Sequence, residues 1–332
     1  MTGRKPSMRR LAVFASAFAA ASLGLAAPAV AQGNFPSRQI TMIVPAPPGG
    51  GTDVFGRLLA EIAEADLRQK VVVENRGGAG GTLGVTQMVA GQADGHTIAF
   101  VWNSPLTTSP HSLQVLYTPD RYAAVMSIGF SSYTMCVRPD FPADNGQAFL
   151  AHLKANPDKY TYGNDGVGGT MQLAAERIFA AAGVKVRAVP FGGAGETARN
   201  FLGAHVDIYG GSLPPILPHA QAGRAKCLLL TSADANPALP QAAGLASLGM
   251  AGEETVLWWG LIAPARTPRA ALDRLEAAFS AAARTERFRE AMAAQGATVR
   301  VRGAAETAAN IRDELEALGK VARALGIERK AQ

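Results

Sequence analysis

Ile43-Val44-Pro45-Ala46-Pro47-Pro48-Gly49-Gly50-Gly51-Thr52-Asp53 joins two elements of different period. The apolar run Ile40 to Val44 predicts a buried strand, and Val54, Leu58 and Ile62 recur at helical spacing. Between them stand two adjacent prolines, three adjacent glycines and a Thr-Asp pair where a helix begins. Glycine admits positive φ and lets a ligand approach the main chain closely. A helix N-terminus offers unpaired N–H groups and partial positive charge, so this construction suits an anion. The same residues also make a tight turn capped by Thr52 or Asp53.

The design recurs further along. Val189-Pro190 leads into Phe191-Gly192-Gly193-Ala194-Gly195-Glu196-Thr197, again a strand, a proline, a glycine run, then an acid and a threonine. Asn75 to Gly84, and Gly163 to Thr170 with Asn164-Asp165-Gly166-Val167-Gly168-Gly169 inside it, follow the plan without the proline. Between these loops strand and helix patterns alternate, which predicts α/β architecture with parallel or mixed sheets covered by helices on both faces. A turn-rich break at 108–121 separates two such series, and helical segments near 268–284, 286–295 and 305–325 return to the first. Two α/β lobes are expected, the first built from both ends of the chain. Ligands of open α/β sheets sit beyond the carboxyl ends of the strands. Lobes meeting loop to loop would then trap a small anion between helix N-termini, each dipole contributing about 0.3–1 kcal/mol, up to about 2 when partly buried.

Residues 1–31 read as a signal peptide. Arg4, Lys5, Arg9 and Arg10 form a basic region, Leu11 to Leu25 an apolar one, and Ala29-Val30-Ala31 a cleavage site, so export to the periplasm with cleavage after Ala31 is expected. The whole chain carries +6; without those four residues 28 basic groups face 26 acidic ones, or +2. That balance offers no footprint for nucleic acid. No 18-residue apolar stretch follows the N-terminus, so no membrane span is expected in the body of the chain. Cys136 and Cys227 each lie in an apolar strand-like run; in an oxidising compartment they pair if the fold joins them, and otherwise remain buried thiols.

Enzymatic readings find little support. None of the glycine loops has the lysine of a phosphate-binding P-loop. Gly193-Ala194-Gly195-Glu196-Thr197-Ala198 fits the looser dinucleotide pattern, but Asp207 lies only 14 residues past Gly193, short of the required spacing. Gly210-Gly211-Ser212-Leu213-Pro214 lacks the last glycine of a nucleophile elbow. The five histidines show no zinc spacing. No catalytic residue, metal or cofactor is expected.

Several of these stretches together resemble the Bug family, the periplasmic solute receptors of tripartite tricarboxylate transporters. The resemblance rests on Phe35-Pro36-Ser37-Arg38, Ile43 to Asp53, Val71-Val72-Val73-Glu74-Asn75-Arg76 through Gly81, and Ala93-Asp94-Gly95. Val189-Pro190-Phe191, Leu217-Pro218-His219, Ala222-Gly223 and Trp258-Trp259-Gly260 with Ala263-Pro264 extend it over nearly the whole mature chain. It implies a two-lobed periplasmic binding protein of type II, with mixed sheets, flanking helices and a two-strand hinge near 122–138 and 225–231. Lobe I would comprise 32–128 and 230–332, lobe II 129–229. The resemblance places Ala46, Pro47, Gly50, Gly51, Thr52 and Asp53 on one wall of a carboxylate site. Gly168, Gly169, Thr170, Phe191, Gly192 and Gly193 would line the other, with Asn103 and Ser104 near the floor. Asp53, an acid at an anion site, is expected to hold the loop rather than the ligand.

Three departures stand out. Gly192 replaces a frequent lysine, Gln172 a frequent histidine, and Gly210-Gly211 a frequent acid. A less polar distal pocket would favour an aromatic or longer acid, with Phe191 as a candidate wall; Trp258 reads better as core. The implied ligand is a mono-, di- or aromatic carboxylate and the implied partners are membrane permease subunits, the receptor itself a monomer. A sensor kinase is the rival partner, and a periplasmic enzyme the rival class.

Overall fold

The computed structural model describes residues 1–3, 35–46, 48–49 and 51–327. Residues 4–34, which hold most of the expected signal peptide and its cleavage site, lie outside the described residues, as do Pro47 and Gly50. Strands β1 (Ile40–Val44), β2 (Val71–Asn75), β3 (Thr97–Trp102) and β4 (Tyr122–Ser131) come first. Then come β5 (Tyr133–Val137), β6 (Thr161–Asn164), β7 (Arg187–Pro190), β8 (Ile208–Ser212) and β9 (Lys226–Leu230). β10 (Leu257–Pro264) and β11 (Thr298–Gly303) finish the series. They form two mixed sheets, ordered β11-β4-β10-β3-β1-β2 and β7-β6-β8-β5-β9. β1 pairs parallel to both β2 and β3, whereas β10 runs antiparallel between β3 and β4. The first sheet therefore takes strands from both ends of the chain.

Helices α1 (Gly51–Leu67), α2 (Thr82–Val89), α3 (Ser104–Thr107) and α4 (Ser109–Ser112) precede the second sheet. α5 (Gly146–Ala155), α6 (Thr170–Ala182), α7 (Ala194–Leu202) and α8 (Leu217–Gln221) belong to it. α9 (Arg269–Ala283), α10 (Glu286–Ala293) and α11 (Ala304–Ala324) return to the first. In α1 the helical period puts Phe55, Leu59, Ala63 and Leu67 on one buried face, packed with Phe279 of α9 and Phe288 of α10. Each such large side chain contributes about 1.5–3 kcal/mol by leaving water. Leu59→Ala, at a position with no exposure, should cost about 2–5 kcal/mol.

The chain crosses between sheets at Ser132, and returns after β9 through 231–256. Across the two passages Ser132 Oγ meets Ser232 Oγ, Thr231 N donates to Tyr133 O at 3.0 Å, and Tyr133 N donates to Thr231 Oγ1 at 3.1 Å. Two adjacent, mutually bonded extended passages are the geometry of a hinge. Three residues farther in, Cys136 and Cys227 face each other on β5 and β9 and form a disulfide, closing the alternative of free thiols.

The lobes also touch away from the hinge. Thr108, between α3 and α4, places Oγ1 2.9 Å from Thr170 Oγ1 at the start of α6, and both residues are buried. Gly168, at φ +70°, passes so close that a Cβ there would lie 2.6 Å from Ser112 Cβ.

Candidate functional site

Three loops at the carboxyl ends of β1, β6 and β7 share one local device. In each a glycine N–H donates to the side chain four residues on: Gly49 to Asp53 at 2.9 Å, Gly168 to Gln172 at 2.7 Å, Gly192 to Glu196 at 2.8 Å. A side-chain oxygen reaching back over a helix start satisfies a donor that the helix itself cannot. The β1–α1 loop is tied further. Asn75, at the end of β2, donates to Ala46 O at 3.0 Å and to Asp53 Oδ1 at 2.7 Å, and Arg57 Nε lies 3.0 Å from the same oxygen. Burial works to raise the Asp53 pKa, but the Gly49 amide, Asn75 and Arg57 outweigh it and hold the carboxyl below the usual range. Asp53 is therefore an ionised internal strut.

Between the lobes lies a cavity of about 490 Å³ that adjoins a second of about 310 Å³. Thr52, in the first turn of α1, and Ala194, the first residue of α7, line both. The first turns of two helices from opposite lobes thus border one junction, and first-turn amides are natural donors for an anion. Ser212 and Leu257 complete that junction. Thr52 is itself oriented by Trp259 Nε1, which donates to Thr52 Oγ1 at 3.0 Å.

Of the site residues expected from the sequence, Ala46, Thr52, Ser104, Gly168, Gly169, Thr170 and Gly192 line the larger cavity and Gly51 the smaller. Gly193 stands between two lining residues without lining the cavity itself. Pro47 and Gly50 lie outside the described residues.

Two expectations are corrected. Asn103 is wholly buried behind the floor; its Nδ2 donates to Val256 O and to Glu314 Oε1, so it supports Ser104 from behind rather than facing the cleft. Phe191 is half-buried and packs against the core of the second lobe beside Val189, because its N–H is held by Asn164 O and its ring lies against Gly163. Trp258, read as core, is core: its Nε1 donates to Glu314 Oε2 at 2.6 Å.

Sequence reasoning missed Trp102, Tyr133, Asp165, Leu257 and the α4 serines Ser109 and Ser112, all of which line the cleft. Trp102 ends β3, so the rule that ligands sit beyond the strand ends would have found it. Asp165 was visible as the one acid inside a glycine-rich loop. It accepts from Met171 N at 3.2 Å, so the α6 N-terminus already holds an internal carboxylate. Burial pushes the Asp165 carboxyl up to about 6, against the lowering effect of the α6 amides.

No arginine, lysine or histidine lines either cavity among the described residues. Arginines do gather elsewhere: Arg177, Arg300 and Arg302 border a cavity of about 260 Å³ near α11. There Arg177 spends its donors on Glu253, Gly252 O, Glu254 O and Thr255, and Glu254, Asp313 and Glu314 share the wall. That balance of charge marks an internal brace. No cluster of three potential metal ligands exists among the described residues.

Two α/β lobes joined by a double crossing, with a cleft lined by the loops of both, define a two-lobed periplasmic solute-binding fold. The model of the tripartite tricarboxylate transporter family receptor matches residues 55–327, and the chain belongs to that family. It is 30% identical to Protein BugT of Bordetella pertussis over 317 residues, 93% of this chain and 96% of BugT. An R. palustris protein solved with adipate superposes at a TM-score of 0.75 with 25% identity, over 89% of this chain and 99% of that one. MatC from Rhodopseudomonas palustris, solved with bound malate, superposes at 0.71 with 25% identity, over 86% and 99%.

Proposed function

We propose that this chain captures a small organic carboxylate between its lobes and delivers it to a tripartite tricarboxylate-type permease. The observation that supports this most is the convergence of the α1 and α7 N-termini on one junction, through Thr52 and Ala194. Adipate and malate in two structural relatives support the ligand class. No helix among the described residues is long and apolar enough to cross a membrane, which fits a receptor exported to the periplasm and cleaved after Ala31. It acts as a monomer whose lobes swing about the paired passages at Ser132 and Thr231. Its chemistry is binding without turnover: among the described residues that line the two cavities, no lysine, arginine or histidine stands beside the hydroxyls of Thr52, Ser104 and Ser212.

The test is a thermal-shift screen of the mature protein against mono-, di- and aromatic carboxylates. A ligand stabilises by its occupancy, about 2.7 kcal/mol at a hundred times its dissociation constant. A shift with at least one acid, and recovery of that acid unchanged after long incubation, is expected. A protein indifferent to the whole panel refutes the reading.

A further inference from the structure

We propose that Asp165 makes the cleft select acids carrying a hydrogen-bond donor beyond their carboxylate, a hydroxyl, amide or ammonium, and reject a second carboxylate there. This rests on the carboxylate reading of the cleft and narrows it to a ligand class.

The placement comes first. Asp165 lines the larger cavity but not the smaller, so it lies away from the junction where α1 and α7 converge. With it on that side are Ser109, Ser112, Gly168, Gly169 and Thr170. The α6 N-terminus, which would otherwise serve a ligand anion, is partly taken: Met171 N goes to Asp165 itself, and ahead of the helix Gly168 N goes to Gln172 and Gly169 N to Gly166 O. A carboxyl that fills an anion position blocks a second anion by like-charge repulsion in a poorly solvated site.

The surroundings do not offset that charge. Tyr133 on β5, Tyr162 on β6 and Tyr209 on β8 are the titratable groups around it, all pushed far above neutrality by burial. Glu176, one turn along α6, is bound to the Tyr162 hydroxyl at 2.7 Å, and burial raises its pKa too. No cation borders the cavity among the described residues. A carboxylate so placed needs donors, and the amides of α6 supply only part of them; the rest must come from the ligand. When protonated, the same group becomes a donor and tolerates an acceptor.

The experiment is isothermal titration of the mature protein at pH 7.5 and 5.5 with two matched series. One is hexanoate, 6-hydroxyhexanoate, 6-aminohexanoate and adipate; the other is benzoate, 4-hydroxybenzoate, 4-aminobenzoate and terephthalate. At pH 7.5 donor-bearing acids should bind about tenfold or more tighter than the dicarboxylate of their series, the worth of one hydrogen bond to a charged group. At pH 5.5 that ratio should shrink several-fold. D165N should shrink it at pH 7.5. Dicarboxylates binding as tightly as their donor-bearing partners at pH 7.5, or a ratio indifferent to pH, overturns the proposal and leaves the carboxylate reading standing. A folded D165N with an unchanged ratio does the same. If D165N does not fold, the wild-type pH comparison decides. Failure of every acid in both series sinks the carboxylate reading and this proposal together.

Discussion

The single side-chain hydrogen bond between Thr108 and Thr170 offers a direct measure of lobe closure. The hydroxyls stand 2.9 Å apart across the cleft edge, with relative exposures of 0% and 1%. In an open form both would meet water, so the bond exists only when the lobes are together. Thr108→Val keeps the shape and removes one hydroxyl, and Thr108 does not itself line the cleft. Thr170 retains its contact with the Tyr133 hydroxyl, so no bare polar group is stranded. The loss is then that of an ordinary neutral hydrogen bond, about 0.5–1.5 kcal/mol. This lowers the closed-to-open ratio, and with it the ligand affinity, by up to about 2- to 13-fold. The assay is isothermal titration with whichever acid gives the largest thermal shift, run as a double-mutant cycle with Thr170→Val. Because Thr170 also lines the cleft, its own substitution carries a ligand term, which the cycle cancels. Either single substitution already breaks the bond, so the double variant loses it only once and should bind better than the sum of the single losses predicts. Strict additivity, within about 0.3 kcal/mol, would refute the claim that this bond forms on closure.

Other expectations follow from the same contacts. The Cys136–Cys227 disulfide spans 91 residues and encloses most of the second lobe, for which loop-closure entropy gives about 4.6 kcal/mol at 25 °C and measured cases about 2–4. Cys136→Ala with Cys227→Ala should therefore lower the urea midpoint for that lobe, and an unchanged midpoint would count against the entropic account. Asn75→Ala removes three hydrogen bonds, those donated to Ala46 O and to the ionised Asp53 and one accepted from Arg57, and should cost about 1–3 kcal/mol in stability. The depressed Asp53 pKa contributes stability that is full at neutral pH and lost as pH falls below about 4. Asp165 acts with the opposite sign: its folded pKa of about 6 exceeds the unfolded value of 3.8, so stability falls as pH rises through that window, by up to about 3 kcal/mol. Urea unfolding at pH 4.5 and 7 should show that slope in wild type and its loss in Asp165→Asn; an equal slope in both would refute the assignment.

What the sequence revealed and what it hid have separate physical origins. Glycine runs after strands, with an acid at the next helix start, announce a backbone-lined pocket because few other local structures need that combination. The loops after β1 and β7 were legible for this reason, and the β6 loop by its glycines alone. Side-chain direction was not. Successive residues of a strand point to opposite faces, and where both faces are covered the pattern reads apolar throughout. Trp258 and Trp259 on β10 show the consequence: the first turns toward Glu314 of α11, the second toward Thr52 of α1 and the cleft. Asn103 and Ser104 divide in the same way, one held by Glu314 and the other on the cleft wall. Only the three-dimensional placement of α11, whose partners lie more than fifty residues away in sequence, decides which neighbour serves the site.

The i, i+4 clamps also explain how an anion site forms without a basic side chain. Each loop satisfies a glycine amide internally, which fixes the loop without using the first-turn amides of the following helix. Where the internal oxygen is remote from the cavity, as with Asp53 beneath α1, the helix still presents positive potential to a guest. Asp165 breaks that pattern on α6, since its carboxyl sits on the N-terminal amides and on the cavity wall at once. Three similar loops therefore make an asymmetric pocket: on the proposed reading α1 and α7 receive negative charge, while the α6 loop supplies it. On the proposed reading, the bound acid lies with its carboxylate toward the junction and its donor toward Asp165.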